Sequence, residues 1–189
     1  MDLMARIEQI NKRKAEAEEI VQHVQLNGKL QQADGQIQVH YTVSNEGASA
    51  VYVLDRVIVF AAEQGFAEAQ TAIIRLAAPE EPHRMVLSRG YVAPPVSFVM
   101  LELLPAARQL EPGQSLQGEA RIPLPLQAWH PHEGALPLAA ETTEWELRIG
   151  LLPVFCELSE LQLEDGTLAQ VPQGADLYRF QQWLTERLE

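Results

Sequence analysis

The chain has 189 residues, 47% of them hydrophobic and 21% charged, the composition of a globular protein and not of a disordered segment. That length suits one domain with appendages and buries about 70% of the unfolded surface. A formal net charge of -12 at pH 7 argues against a sequence-independent grip on nucleic acid or anionic lipid, each of which needs a basic surface.

Charges are scattered through Met1 to Lys14, where a secretory signal would carry an apolar core, and no run approaches the roughly 20 apolar residues of a membrane-spanning helix. A cytoplasmic protein is the expectation. From residue 2 to about 24 there is no Pro or Gly, and Glu, Ala, Lys, Arg and Gln dominate, so the composition predicts a helix. Leu3, Ile7, Ile10, Lys14, Ala17, Val21 and Val24 recur at alternating steps of four and three, a heptad seam weakened by Lys14 and Ala17. Such a helix either lies across its own domain or offers Leu3, Ile7, Ile10 and Val21 to another protein, a second copy included. Asn27-Gly28 predicts its end, and Lys29 to Gln32 a short edge strand.

The strongest pattern lies between Gln36 and Phe60. Ile37, Val39, Tyr41 and Val43 alternate with polar residues, the period of a half-buried strand. Asn45-Glu46-Gly47 supplies a turn, and Val51, Val53, Val57 and Val59 mark a second strand. Residues 61–72 are rich in Ala, Glu and Gln around Gly65 and read as a helical excursion or a loop, while Ile73, Ile74 and Leu76 fit strand or buried helix. Met85 to Val92 predicts a strand. Ser97 to Leu104 predicts a buried central strand that Pro105 ends. Pro112-Gly113 is a type II turn candidate, followed by alternating Leu116, Gly118, Ala120 and Ile122. Pro123 and Pro125 then take the chain out of the sheet. Residues 127–141 form a long Pro-, His- and Gly-rich connection, the natural place for a functional loop.

Further on, Trp145, Leu147, Ile149 and Leu151 alternate with Glu144, Glu146 and Arg148. Leu161 to Val171 reads as a hairpin about Asp165-Gly166. Ala175 to Glu189 predicts a closing helix whose Leu177, Phe180, Leu184 and Leu188 share one face. The run V-x-Y-x-V-x-N-x-G, Val39 to Gly47, with a later Pro-Gly turn and another alternating strand, resembles immunoglobulin-like sandwiches of the bacterial, disulfide-free kind. The resemblance concerns the fold and carries no functional residues with it. The expected architecture is mainly β, an antiparallel two-sheet immunoglobulin-like sandwich over residues 27–172, with an N-terminal helix over 1–26 and a C-terminal helix over 173–189.

Chemistry-bearing motifs are sparse. Cys156 is the only cysteine, so no disulfide forms within the chain; its apolar setting predicts a buried, unreactive thiol. His130 and His132 are possible zinc ligands, but an H-x-H without a second pair is a poor site, and no metal or other cofactor is expected. His83, Arg84 and Arg89 make a basic spot that suits an acidic peptide or, more simply, pairing with nearby glutamates. No phosphate loop, nucleophile elbow or zinc-protease helix is present. The expectation is therefore a non-catalytic module that binds another protein. Its candidate contacts are Leu3, Ile7, Ile10, Val21, Leu177, Phe180 and Leu184 on the terminal helices and Trp129 in the long connection. A carbohydrate- or small-ligand-binding sandwich is one alternative and would want exposed aromatics on a sheet face. An enzyme with dispersed residues is the other.

Overall fold

Alternation decides the first sheet. Ile37, Val39, Tyr41 and Val43 are buried while His40 between them is exposed, because a strand turns successive side chains to opposite faces. The computed structural model describes residues 3–61, 65–76, 83–92, 103–130, 134–137 and 144–188, with backbone alone at 61, 73–76, 127–130 and 134–137. Most of the expected strand Ser97 to Leu104 lies outside those residues.

The chain begins with α1 (Leu3–Ile20) and a single 3-10 turn, Val21–His23. Strands follow as β1 (Val24–Ala33), β2 (Gln36–Asn45), β3 (Val51–Ala61), β4 (Gly65–Ala69), β5 (Ile73–Leu76), β6 (Arg84–Arg89), β7 (Leu103–Leu110) and β8 (Ser115–Pro123). After them come β9 (Gln127–His130), β10 (Gly134–Pro137), β11 (Glu144–Pro153), β12 (Leu158–Gln162), β13 (Leu168–Pro172), α2 (Gly174–Phe180) and β14 (Gln182–Leu188). The protein is mainly β with two helices. One sheet has the order β1-β2-β8; the larger one runs β12-β13-β7-β3-β11-β6-β5, with β14 added to β11 and β4 to β3, and β9–β10 is a separate hairpin. Val39, Val43 and Ile122 of the small sheet meet Val53, Leu147 and Ile149 of the large one in a shared core.

Several expectations change. The described pairs are antiparallel except one: β6 runs parallel to β11, Arg84 beside Glu144 through Arg89 beside Ile149. The N-terminal helix stops at Ile20, and Val24–Ala33 is a strand, not a helix end followed by a four-residue edge. Gly28 sits mid-strand because a Cβ there would lie 2.6 Å from Leu188 Cδ2; the position needs space, and no turn is made. At the other end the helix covers only Gly174–Phe180, and Gln182–Leu188 pairs with β11. Gln181 is extended at the junction, and its side-chain amide both accepts from Tyr91 N–H (2.6 Å) and donates to Tyr91 C=O (2.9 Å).

Residues 65–69 form a strand rather than a helix or loop; of the expected connection 127–141, residues 127–130 and 134–137 pair as antiparallel strands, and 131–133 and 138–141 lie outside the described residues. Pro105 lies inside β7 opposite Val57, on a strand whose other edge meets β13 at Ala107–Gln170, so its missing N–H falls where the described ladder does not need one. The Pro112-Gly113 turn is type II as expected, with φ +75° at Gly113 and Gln114 N–H donating to Glu111 C=O (3.1 Å). The Asp165-Gly166 hairpin closes through Leu163 N–H to Thr167 C=O (2.8 Å), a loop one residue longer than a two-residue turn.

Candidate functional site

The heptad seam of α1 is divided between two environments. Its second half belongs to this protein: Ala17 is fully buried, Ile20 and Val21 pack against the core, and the Arg13 guanidinium lies 5.1 Å from the Phe155 ring centroid. Phe155 in turn meets Phe180 edge-on, with centroids 5.3 Å apart, so α1 and α2 share one apolar cluster. The first half has no such support. Leu3 and Met4 are each 69% exposed and Ile7 44%, while the described packing of the helix begins further along, at Arg13 and Ala17.

Beside the anchored half lies a groove of about 580 Å³ between α1, the β2–β3 turn and the end of β11. Val51, Val154 and Phe155 line it with apolar surface, and Glu16, Glu19 and Glu46 line it with carboxylates. Asn45 builds the turn: its Nδ2 donates to Ser49 C=O (2.9 Å) and Leu110 C=O (3.1 Å), and its Oδ1 accepts from Gly47 N–H (3.0 Å). Glu46 N–H donates to His23 C=O (2.8 Å) and ties the turn to the end of the helical segment. The groove is therefore framed by ordered backbone on both sides.

Among the described residues the larger set of linked ionisable groups is interior. Two residues of β3, Leu54 and Asp55, oppose a single residue of β7, and this bulge leaves Asp55 C=O outside the ladder. Arg89 fills that vacancy, with Nη1 donating to Asp55 C=O (2.6 Å) and to Tyr41 Oη (2.8 Å) and Nε to Thr71 C=O (2.9 Å). Arg108 grips the Asp55 carboxylate in two-point fashion, Nε to Oδ1 at 3.0 Å and Nη2 to Oδ2, and Nη2 also donates to Gln117 C=O of β8 (3.2 Å). Burial, then the Asp55 charge, push the Tyr41 phenol well above its ordinary pKa, which keeps it a neutral hydroxyl. Asp55 is 1% exposed and Arg89 5%. The cluster joins both sheets, its polar groups are hydrogen-bonded to one another and to main-chain carbonyls, and its chemistry is that of a clamp.

A second buried carboxylate, Glu146, sits on the expected solvent face of β11 yet is 1% exposed, paired with Arg84 and Arg148. Burial pushes its carboxyl up, but hydrogen bonds from Arg84 and Arg148 outweigh burial and hold it below the usual carboxylate range. A depressed folded-state pKa contributes stability above the unfolded value and loses it as pH falls through the folded one. Glu146→Gln is expected to be about 2 kcal/mol less stable at pH 7. It should then lose less stability than the parent between about pH 5 and pH 2, as urea unfolding at each pH will show. Midpoints that fall in parallel for the two proteins would remove Glu146 from the acid response.

The sequence candidates separate cleanly. Leu3 and Ile7 are exposed, Ile10 is half-buried, and Val21 packs on the core. Leu177, Phe180 and Leu184 are 6%, 3% and 4% exposed and pack into the protein's own interior. Trp129 and His130 lie on β9, described by backbone alone, and His132 lies outside the described residues. Among the described residues no three His, Cys, Asp or Glu side chains are placed to hold a metal. Of the basic spot, Arg84 pairs with Glu146, His83 Nε2 approaches Glu144 Oε1 at 3.8 Å, and Arg89 is interior. Cys156 is buried, and its thiol is pushed up to about 12, by burial first and the Asp176 charge second. The outer face of the β1-β2-β8 sheet presents Lys29, Gln38, His40, Thr42, Gln117 and Glu119, with no aromatic among its described residues for a sugar to stack on. No described helix is long and apolar enough to cross a membrane. Sequence reasoning missed Met4 and the whole Tyr41–Asp55–Arg89–Arg108 cluster; the available signal was an Asp-Arg pair inside the apolar run Val51–Phe60. No family model, no curated protein and no solved structure matches this chain.

Proposed function

We propose that this chain is a non-catalytic protein-binding module, an immunoglobulin-like sandwich that carries its contact surface on the N-terminal helix. The observation that carries this reading is the exposure of Leu3, Met4 and Ile7 on a helix that meets the domain through Arg13, Ala17 and Ile20 further along. Three neighbouring large apolar side chains gain nothing from water, and a helix face of this kind is stabilised by a complementary protein groove. The interior arrangement of the Asp55 and Glu146 clusters supports it from the other side, since their charges are engaged with one another in holding the sheets.

The test is a photo-crosslinking amino acid at position 4 of the full chain, in the cells that make it, with position 168 as the control. Leu168 is also exposed, at 52%, but is far along the chain on β13. Protein adducts at position 4, absent at 168 and lost when Leu3→Ser and Ile7→Ser are added, are expected. Equal labelling at the two positions would defeat the reading.

A further inference from the structure

The charges of α1 run against the helix's own dipole. Between residues 3 and 14 there are four basic side chains and one acidic, and Glu16, Glu18 and Glu19 follow in the last turn and a half. A helix stabilises anions near its N-terminus and cations near its C-terminus, so this order does not serve the isolated helix. It does serve two helices lying antiparallel, where each basic half faces an acidic one. The apolar surface divides in the same way. The basic half exposes Leu3, Met4 and Ile7, and the acidic half borders the groove of about 580 Å³ with its apolar lining. One chain thus carries a basic, apolar projection and an acidic, apolar recess of ligand-site dimensions.

We propose that the partner in the preceding reading, on which this inference rests, is a second copy of this chain. The N-terminal half of each α1 fills the groove beside the C-terminal half of the other. The exchange is reciprocal, so it closes as a two-fold pair instead of growing into a filament. Arg6 and Lys14, which have no ion-pair partner among the described residues, face the carboxylates Glu16 and Glu19 of the other copy. Lys12 already reaches Glu16 of its own helix at 4.0 Å and is left out of the cross-pairing.

Sedimentation velocity on the full chain across concentration and NaCl tests this with two variants. Arg6→Glu/Lys14→Glu makes the projection acidic, and Glu16→Lys/Glu19→Lys makes the recess basic. The parent is expected to dimerise, more weakly as salt rises. Each variant alone should dimerise at least about tenfold more weakly. An equimolar mixture should form a mixed dimer near parental strength, because each projection then meets a recess of opposite charge; that recovery also proves both variants folded. A dimer indifferent to both variants but abolished by Ile7→Ser would mean seam-to-seam pairing and would overturn the groove assignment. A parent that stays monomeric while position 4 captures a different protein overturns the second-copy inference and leaves the interaction reading standing. A monomer with no adduct at position 4 removes both.

Discussion

Replacing Asp55 with alanine is expected to lower the unfolding free energy by about 3–5 kcal/mol, or roughly 10 °C in melting midpoint for a chain of this size. The Asp55 side chain is fully buried; its carboxylate pairs with Arg108 and lies 3.4 Å from Tyr41 Oη, to which Arg89 donates, so it is the one anion in a cluster with two arginines. Arg108 has a side chain 41% exposed and can turn toward water once its partner is gone. Arg89 has no such exit. At 5% exposure, held by Tyr41 Oη and by the carbonyls of Asp55 and Thr71, which alanine at 55 leaves in place, it would keep its positive charge in the core after the cluster's one carboxylate is gone. Most of the expected loss is this orphaned charge and not the lost attraction, because an ion pair well buried is worth little against an apolar replacement but costs heavily when halved. Asp55→Ala combined with Arg89→Met should therefore lose about 1–3 kcal/mol less than the two single changes added together. Urea unfolding of the four proteins measures it. An Asp55→Ala protein within 1 kcal/mol of the parent would show that the cluster is a passenger in the fold.

What the sequence made legible was whatever alternation alone decides. The inward and outward residues of β2 and β8 and the inward Leu147, Ile149 and Leu151 of β11 follow directly from a period of two, and the Pro112-Gly113 turn follows from the φ that only glycine accepts cheaply. Both ends of the chain were misread for one physical reason. Leu184 and Leu188, four apart, are in phase for a helix and for a strand alike, and Val24, three residues after Val21, continues the helical seam although it opens β1. Only pairing partners break that tie: β11 for β14, and β2 for β1. The interior ionic cluster was illegible for a different reason. Tyr41, Asp55, Arg89 and Arg108 stand on four strands, and nothing short of the fold brings them together. Of the candidate surface, the sequence marks Leu3, Ile7 and Ile10 as one stripe, and the structure leaves Leu3 and Ile7 exposed and Ile10 half-buried. That the stripe is divided, with the half near Ala17 serving the domain and the half near Leu3 left over, is a fact of packing. The acidic groove draws its walls from residues 16–23, 45–51 and 153–155, a convergence no spacing rule describes.

Gly118→Ala is expected to destabilise the protein by about 3–5 kcal/mol, although it adds a single methyl group. Gly118 on β8 and Gly28 on β1 flank Tyr41 in one cross-strand row. A Cβ at residue 118 would stand 2.2 Å from Tyr41 Cζ and 2.3 Å from its Oη, so the phenol ring occupies the space that any other residue would claim. A flexible side chain could swing aside. This ring cannot do so cheaply: Tyr41 is 3% exposed, Arg89 donates to its hydroxyl at 2.8 Å, and the Arg89 guanidinium lies 5.7 Å from its centroid. Moving it opens the clamp between the sheets, so the overpacking strain and the loss of buried hydrogen bonds come together. Gly174→Ala is the matched control. That glycine begins α2 with open space around its Cβ position and no positive φ, and alanine there should be neutral or stabilising by up to about 1 kcal/mol. The two variants differ from the parent by the same atoms and should unfold at widely separated urea concentrations. If Gly118→Ala instead unfolds with the parent while Tyr41→Phe does not, then the hydroxyl matters and the ring's position does not, and the close approach of Tyr41 to β8 is not what locks the two sheets in register.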